Sequence, residues 1–220
     1  MYKRIYFFIF LAAIVGLFEL QILYLGPQEI SFGSYVSNLY ATIFSPASTK
    51  TIRINLYNKS LTLLDKGELV KQAKIAAAGN PKSSATPVGN FKVSLKDKRH
   101  VSAINSLIMP FSLRFNGPYY LHGLPTTLSG QLINTLYSHG CVRLPAGLDE
   151  EIFNWADIGT KVEIYNSSLV KSDDSSKVYY LNTDGTKEPI SNPDEFLRRG
   201  FHWQDIQTIP SVELDALTTA

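Results

Sequence analysis

Cysteine is nearly missing from this chain: Cys141 is the only one in 220 residues. A lone thiol excludes a disulfide framework within the chain and a zinc site of the multi-cysteine kind. Charge is also in short supply, with 18% charged residues and a net charge of +2. That balance offers no strong steering toward anionic polymers, and no basic patch is interleaved with aromatic residues. A nucleic-acid partner is therefore not expected. Apolar residues, at 45%, are plentiful, and the length suits one main domain plus a small appendage.

What is present gathers in one window, Tyr120 to Leu144, reading Y-L-H-G-L-P-T-T-L-S-G-Q-L-I-N-T-L-Y-S-H-G-C-V-R-L. Two of the four histidines, His122 and His139, share it with the sole thiol. A thiol becomes a nucleophile at neutral pH when a base or a positive field takes its proton. Gly140, without a Cβ, would let a substrate carbonyl approach the main chain, and nearby backbone N–H groups could face a developing oxyanion. Together these residues point to a cysteine acyl-transfer site. Two other readings stand beside it. A lone Cys is commonly a small buried hydrophobe, and Cys with two His could ligate zinc, although the spacing is not a familiar zinc pattern. The Arg143 guanidinium matches a carboxylate, either on a substrate or in a structural ion pair. Ser138 is expected to brace the loop.

The string S-H-G-C-V-R at 138–143, preceded by the H-G pair at 122–123, resembles the signature of the L,D-transpeptidase (YkuD-type) catalytic domain. The resemblance extends over roughly 51–165. It implies a cysteine acyl-enzyme on peptidoglycan stem peptides, with Cys141 as nucleophile and His122 as general base. His139, Gly140 and Arg143 would shape the oxyanion hole and the substrate contacts, with Ser138 beside them, and the Gly123 backbone would orient His122. A carbapenem-type β-lactam is the implied covalent inhibitor; no cofactor or metal is expected. The acceptor could be an amine or, in an L,D-carboxypeptidase or endopeptidase, water. A wall-binding protein that keeps the fold without catalysis is the alternative from another class.

Elsewhere the chain reads in segments. Lys3 and Arg4 precede fourteen apolar residues, Ile5 to Phe18, and a mostly apolar continuation to Leu25. Residues 1–25 are expected to be an uncleaved signal-anchor or a signal peptide, with the body outside the cytoplasmic membrane, in the periplasm or cell wall. Residues 26–50 read as a stalk. From Thr51 a period of two sets in, with turns at Asn58-Lys59 and Asp65-Lys66-Gly67-Glu68, which predicts a β-meander. Residues 96–118 look irregular apart from a strand at 111–115. His100 reads as a solvated loop residue there, while Met109, Phe111 and Tyr119 are candidates for the cleft wall. A short strand should carry His122, followed by a loop with a helical turn near 131–136. A helix is expected over 145–159, with Asp149, Glu150 and Glu151 favoured by its dipole, and then a strand at 161–165. Residues 166–177 read as a linker, and 178–220 as a small module with an Asp184-Gly185 hairpin. That module would bind wall material or pack on the main domain. The fold class expected is mainly β: a β-sandwich-like catalytic domain with a short helix after the catalytic loop, an N-terminal membrane helix and a small C-terminal α+β appendage.

Overall fold

The computed structural model describes residues 48–220, so the expected membrane helix and nearly all of the stalk lie outside the described residues. Among the described residues no helix is long and apolar enough to cross a membrane. Among these described residues the architecture is mainly β, with three sheets and three short α-helices.

The meander forms as expected: β1 (Lys50–Asn55), β2 (Ser60–Asp65) and β3 (Glu68–Lys74) run antiparallel. Lys66 and Gly67 turn the second corner with φ of 52° and 85°, as a tight two-residue hairpin requires. Later strands complete this five-stranded sheet. β9 (Lys161–Tyr165) lies parallel to β1 and carries β4 (Gly89–Lys92) on its far edge. Ile52 sits opposite Leu63 and Val162, and Ile54 opposite Leu61 and Ile164, so the centre of one face is apolar and sealed.

A second sheet of four strands runs β5 (Leu95–Val101), β6 (Ile108–Asn116), β7 (Tyr119–His122) and β8 (Val142–Arg143). Leu113, Phe115, Leu121 and Val142 from this sheet meet the first sheet's Ile52, Ile54, Leu61 and Leu63 in a single core. The helix α1 (Leu148–Trp155) closes that core with Ile152 and Phe153. At roughly 2 kcal/mol per buried aliphatic side chain, this cluster is what holds the two sheets together. Residues 96–101, expected to be irregular, belong to β5. It is an edge strand whose Lys98 and Arg99 are exposed, and edge strands are kept from pairing further by such charges. The predicted helical turn at 131–136 is absent. That stretch is loop, tied by isolated bridges from Thr126 to Ile108 and to Leu132.

The C-terminal residues form a third sheet from β10 (Leu169–Ser172), β11 (Val178–Leu181), β12 (Lys187–Pro189) and β13 (Ile206–Ile209), with α2 (Pro193–Arg198) and α3 (Ser211–Asp215). The stretch 166–177, expected as a linker, thus contains a strand whose Leu169 and Val170 are sealed from solvent. Asn192 caps α2 by accepting the Glu195 N–H at 2.9 Å. This module has its own small core of Tyr165, Val170, Leu181, Ile209 and Leu214.

A buried ion pair fastens the module to the first sheet. Arg53 of β1 points away from the apolar face, and its Nε donates to Glu213 Oε2 of α3 at 2.6 Å, with both side chains under 10% exposed. Arg53 also pairs with Glu163 of β9, while Thr62 and Tyr165 donate to Glu213 Oε1 at 3.1 and 3.2 Å. Burial lowers the Arg53 pKa, but Glu213 and Glu163 outweigh it and leave the net shift upward. Removing Glu213 leaves Arg53 only the half-exposed Glu163 as counter-ion and strips Thr62 and Tyr165 of their buried acceptor. Glu213→Ala should therefore cost roughly 3–5 kcal/mol and lower the melting temperature by about 10 °C. A melt within 2 °C of wild type would show that the pair does not hold the module.

Candidate functional site

The parallel pairing of β7 with β8 builds the site. Leu121 lies opposite Val142 and His122 opposite Arg143. Leu121 and Val142 are both fully buried in the core. Alternation along each strand then sends Tyr120 and His122, and Cys141 and Arg143, to the other face. The chain leaves β7 after His122, makes the long loop, and returns in parallel to place Cys141 beside the strand it left. Nineteen residues of separation become neighbouring positions on one surface. His122, Ser138, His139, Cys141 and Arg143 all line one pocket of about 140 Å³, with Met109, Tyr119 and Pro118 in its wall. Phe111, the third wall candidate, is elsewhere: its ring packs edge-on against Phe153 at 5.7 Å.

His122 is 2% exposed, and its Nδ1 lies 2.6 Å from the carbonyl oxygen of Gly123. A carbonyl only accepts, so Nδ1 carries the hydrogen and the neutral ring keeps a bare lone pair on Nε2. The neighbouring peptide is held too, because Gly123 N–H donates to Pro110 O at 2.9 Å and Leu144 N–H to His122 O at 2.8 Å. Burial lowers the His122 pKa to about 4; the Gly123 carbonyl opposes this, while Arg143 and His100 add to it.

Cys141 is half-buried, with Sγ 3.9 Å from Pro118 O. Burial raises its pKa, against the lowering effects of the Tyr120 N–H and Arg143. Burial thus favours the neutral form of both the thiol and the imidazole.

The loop residues divide their work differently from the expectation. Gly140 has φ of 109°, and a Cβ there would lie 2.3 Å from Tyr119 Cε1, so its missing side chain makes room for a ring and for a left-handed backbone. The opening foreseen for a substrate carbonyl is filled. Ser138 is buried and braces the turn: its Oγ donates to Cys141 O at 2.5 Å and accepts from Gly140 N–H at 3.0 Å. The Gly140 N–H is thus engaged. Among the described residues the N–H groups of His139 and Cys141 have no partner inside the loop. The His139 side chain is exposed at the pocket rim.

Arg143 is 5% exposed, and its Nη1 donates to Thr135 Oγ1 at 2.8 Å and Thr135 O at 3.1 Å. Its Nε is buried without a partner. No carboxylate pairs with it among the described residues, and from Lys98 to Leu148 the sequence contains neither Asp nor Glu. The pocket wall accordingly carries an uncompensated positive charge. Thr135 was not foreseen, since a Thr in a polar loop has no signal of its own. His100 was misplaced: it stands on β5, half-buried, stacked on Tyr120 at 4.4 Å and 3.3 Å from Asp97.

A mainly β scaffold that presents a thiol and a neutral imidazole in one pocket, from adjacent parallel strands, defines a cysteine–histidine site. The family follows directly. A model of the YkuD L,D-transpeptidase catalytic domain matches residues 49–164, and the chain belongs to that family. No curated protein matches the chain. Among solved structures, an L,D-transpeptidase from Stackebrandtia nassauensis is 24% identical, over 55% of this chain and 57% of its own, with a TM-score of 0.47. One from Mycobacterium tuberculosis H37Rv is 22% identical, over 54% and 58%, with a TM-score of 0.44. Another, from Xylanimonas cellulosilytica, is 24% identical over 64% and 70%, with a TM-score of 0.45. The chain spans under two thirds of the first two.

The thiol is unique, so its ionisation can be read chemically. Alkylation by iodoacetamide should be slow at pH 7 and rise with a midpoint above the ordinary 9.0. A midpoint near neutrality would mean a preformed thiolate–imidazolium pair.

Proposed function

We propose that this protein is a peptidoglycan L,D-transpeptidase working through a thioester on Cys141. The observation that carries the reading is one pocket holding a thiol, an imidazole with a bare Nε2, and a guanidinium without a counter-ion. Peptidoglycan stems supply the matching groups, an amide carbonyl to attack and free carboxylates to pair with Arg143.

The donor stem docks with a carboxylate on Arg143. As Cys141 Sγ bonds to the carbonyl carbon of the L,D-amide, its proton passes to His122 Nε2. The oxyanion is met by the His139 and Cys141 N–H groups. When the C–N bond breaks, His122 returns that proton to the departing amine, leaving a thioester. An acceptor amine then attacks, gives its proton to His122 and releases the sulfur, which takes the proton back. Neutral resting partners suit this cycle, because His122 is ready as a base down to about pH 4. With water as the acceptor the same site is an L,D-carboxypeptidase or endopeptidase. The apolar run behind Lys3 and Arg4 would hold the domain on the outer face of the cytoplasmic membrane, within reach of the wall.

With the full chain, a carbapenem should add its mass to the wild type, and Cys141→Ala should take none. Labelling retained in the variant would sink the assignment. Isolated muropeptides as substrate would separate cross-linked from hydrolysed products.

Arg143 has its own test on the wild-type protein. A donor stem whose free carboxylate is amidated should react on the order of ten-fold more slowly or worse. Equal rates for the two stems would return Arg143 to a purely structural role.

A further inference from the structure

Gly123 poses a question that its backbone does not answer. Its φ lies outside the left-handed region, so glycine is not needed there for conformation. It is needed for space. A Cβ at this position would lie 1.9 Å from Asp149 Oδ2 and 2.9 Å from Pro110 Cγ. The Asp149 carboxylate, on the first turn of α1, therefore occupies the volume a side chain at 123 would fill. It is 6% exposed and forms no ion pair with a cation among the described residues. Its other oxygen, Oδ1, accepts the Gly147 N–H at 2.8 Å, ahead of the helix. A hydroxyl or an amide could serve that helix start as well, without the expense of burying a charge. The contact with Gly123 is what a start-of-helix role leaves unexplained.

Gly123 is also the residue whose carbonyl fixes the His122 ring. Its N–H is tied to Pro110 O, and Asp149 closes the remaining side. We infer that Asp149 is a positioning residue for His122: its carboxylate packs against Gly123 and so holds the carbonyl that keeps the imidazole in its Nδ1–H form. The inference rests on the proposed role of His122 as base, but the geometry it describes can be read without any turnover. Other titratable or charged groups that bear on the ring are Arg143 from β8 and His100 from β5, the latter beside Asp97, with the Cys141 thiol in the same pocket.

The test uses the full chain with 15N-labelled histidine and compares wild type, Asp149→Ser and Asp149→Asn. Serine keeps a hydroxyl for the Gly147 N–H but opens the space beside Gly123; asparagine keeps the shape. The wild-type His122 ring should show the Nδ1–H tautomer and protonate near pH 4. In Asp149→Ser, water reaching the opened space should raise that midpoint by about one unit toward the ordinary value and mix the tautomers. Carbapenem acylation at pH 7 should slow on the order of ten-fold or more, because the base is no longer held in place. Asp149→Asn should restore both. A folded Asp149→Ser with the wild-type tautomer, midpoint and rate would overturn the inference and leave Asp149 to the helix start alone. If Asp149→Ser fails to fold, the same shifts are read in Asp149→Thr, with the same outcome overturning the inference. Shifted histidine signals in a protein that no carbapenem acylates would uphold the positioning role and count only against the transpeptidase reading.

Discussion

The parallel register between β7 and β8 is the constraint on which the rest of the molecule depends. Because Leu121 and Val142 are sealed into the shared core, the side-chain alternation leaves no choice about where their neighbours point. A slip of one residue would drive the His122 imidazole and the Arg143 guanidinium into a cluster of Ile, Leu and Val. The free energy that folds the two sheets together thus also sets where the Cys141 thiol lies relative to the His122 imidazole. Both side chains are placed by the same contacts that make the domain stable.

Much of this was legible in the residues, and the parts that were not have physical reasons. Alternation of Ile52, Ile54, Leu61 and Leu63 announces strands because one face is buried and its pattern is clean. Strand β5 hides because it is an edge: Lys98 and Arg99 are solvated, and Lys96 is turned aside to a different task. Its Nζ donates to Ala156 O at 2.5 Å and lies 4.6 Å from the Phe153 ring centroid. A cation placed on the last carbonyls of α1 complements the helix dipole, but in a string it reads only as part of a basic loop. Strand β10 is short and flanked by serines and aspartates, so its two buried apolar residues cannot outweigh the polar setting. The string 138–143 carries the signature of the family that the domain match shows, whereas most of the side chains that hold it, Ser138 apart, carry no such mark. Thr135 and Asp149 reach the site through tertiary contacts that no local spacing records.

The corrected details change the chemistry more than the fold. The sequence invites a picture of a thiolate waiting beside an imidazolium, with a glycine standing aside for the substrate. In the folded protein both groups are withdrawn from water, and burial favours the neutral form of each: it pushes the thiol up and the imidazole down. The Gly140 gap is occupied by Tyr119. On the proposed reading, such a site would stay quiet until a substrate arrives. A carboxylate brought to Arg143 would place compensating charge next to a guanidinium that now has only Thr135 oxygens as partners. Substrate would thereby supply part of the electrostatic environment in which the proton moves.

The same logic joins the C-terminal module to the rest. Arg53 stands one residue from Ile52 and from Ile54, and it points to the opposite side of the first sheet. In a free-standing two-layer domain that side would face water and a lone Arg there would be unremarkable. Here α3 covers it, and the guanidinium must be answered by Glu213 and Glu163 because water no longer can. The centre of the first sheet, β1 and β2, is therefore buried on both faces, by apolar contacts toward the site and by a charged network away from it. A charged network demands defined partners where a greasy face would accept many, so this choice fixes how the module sits on the sheet.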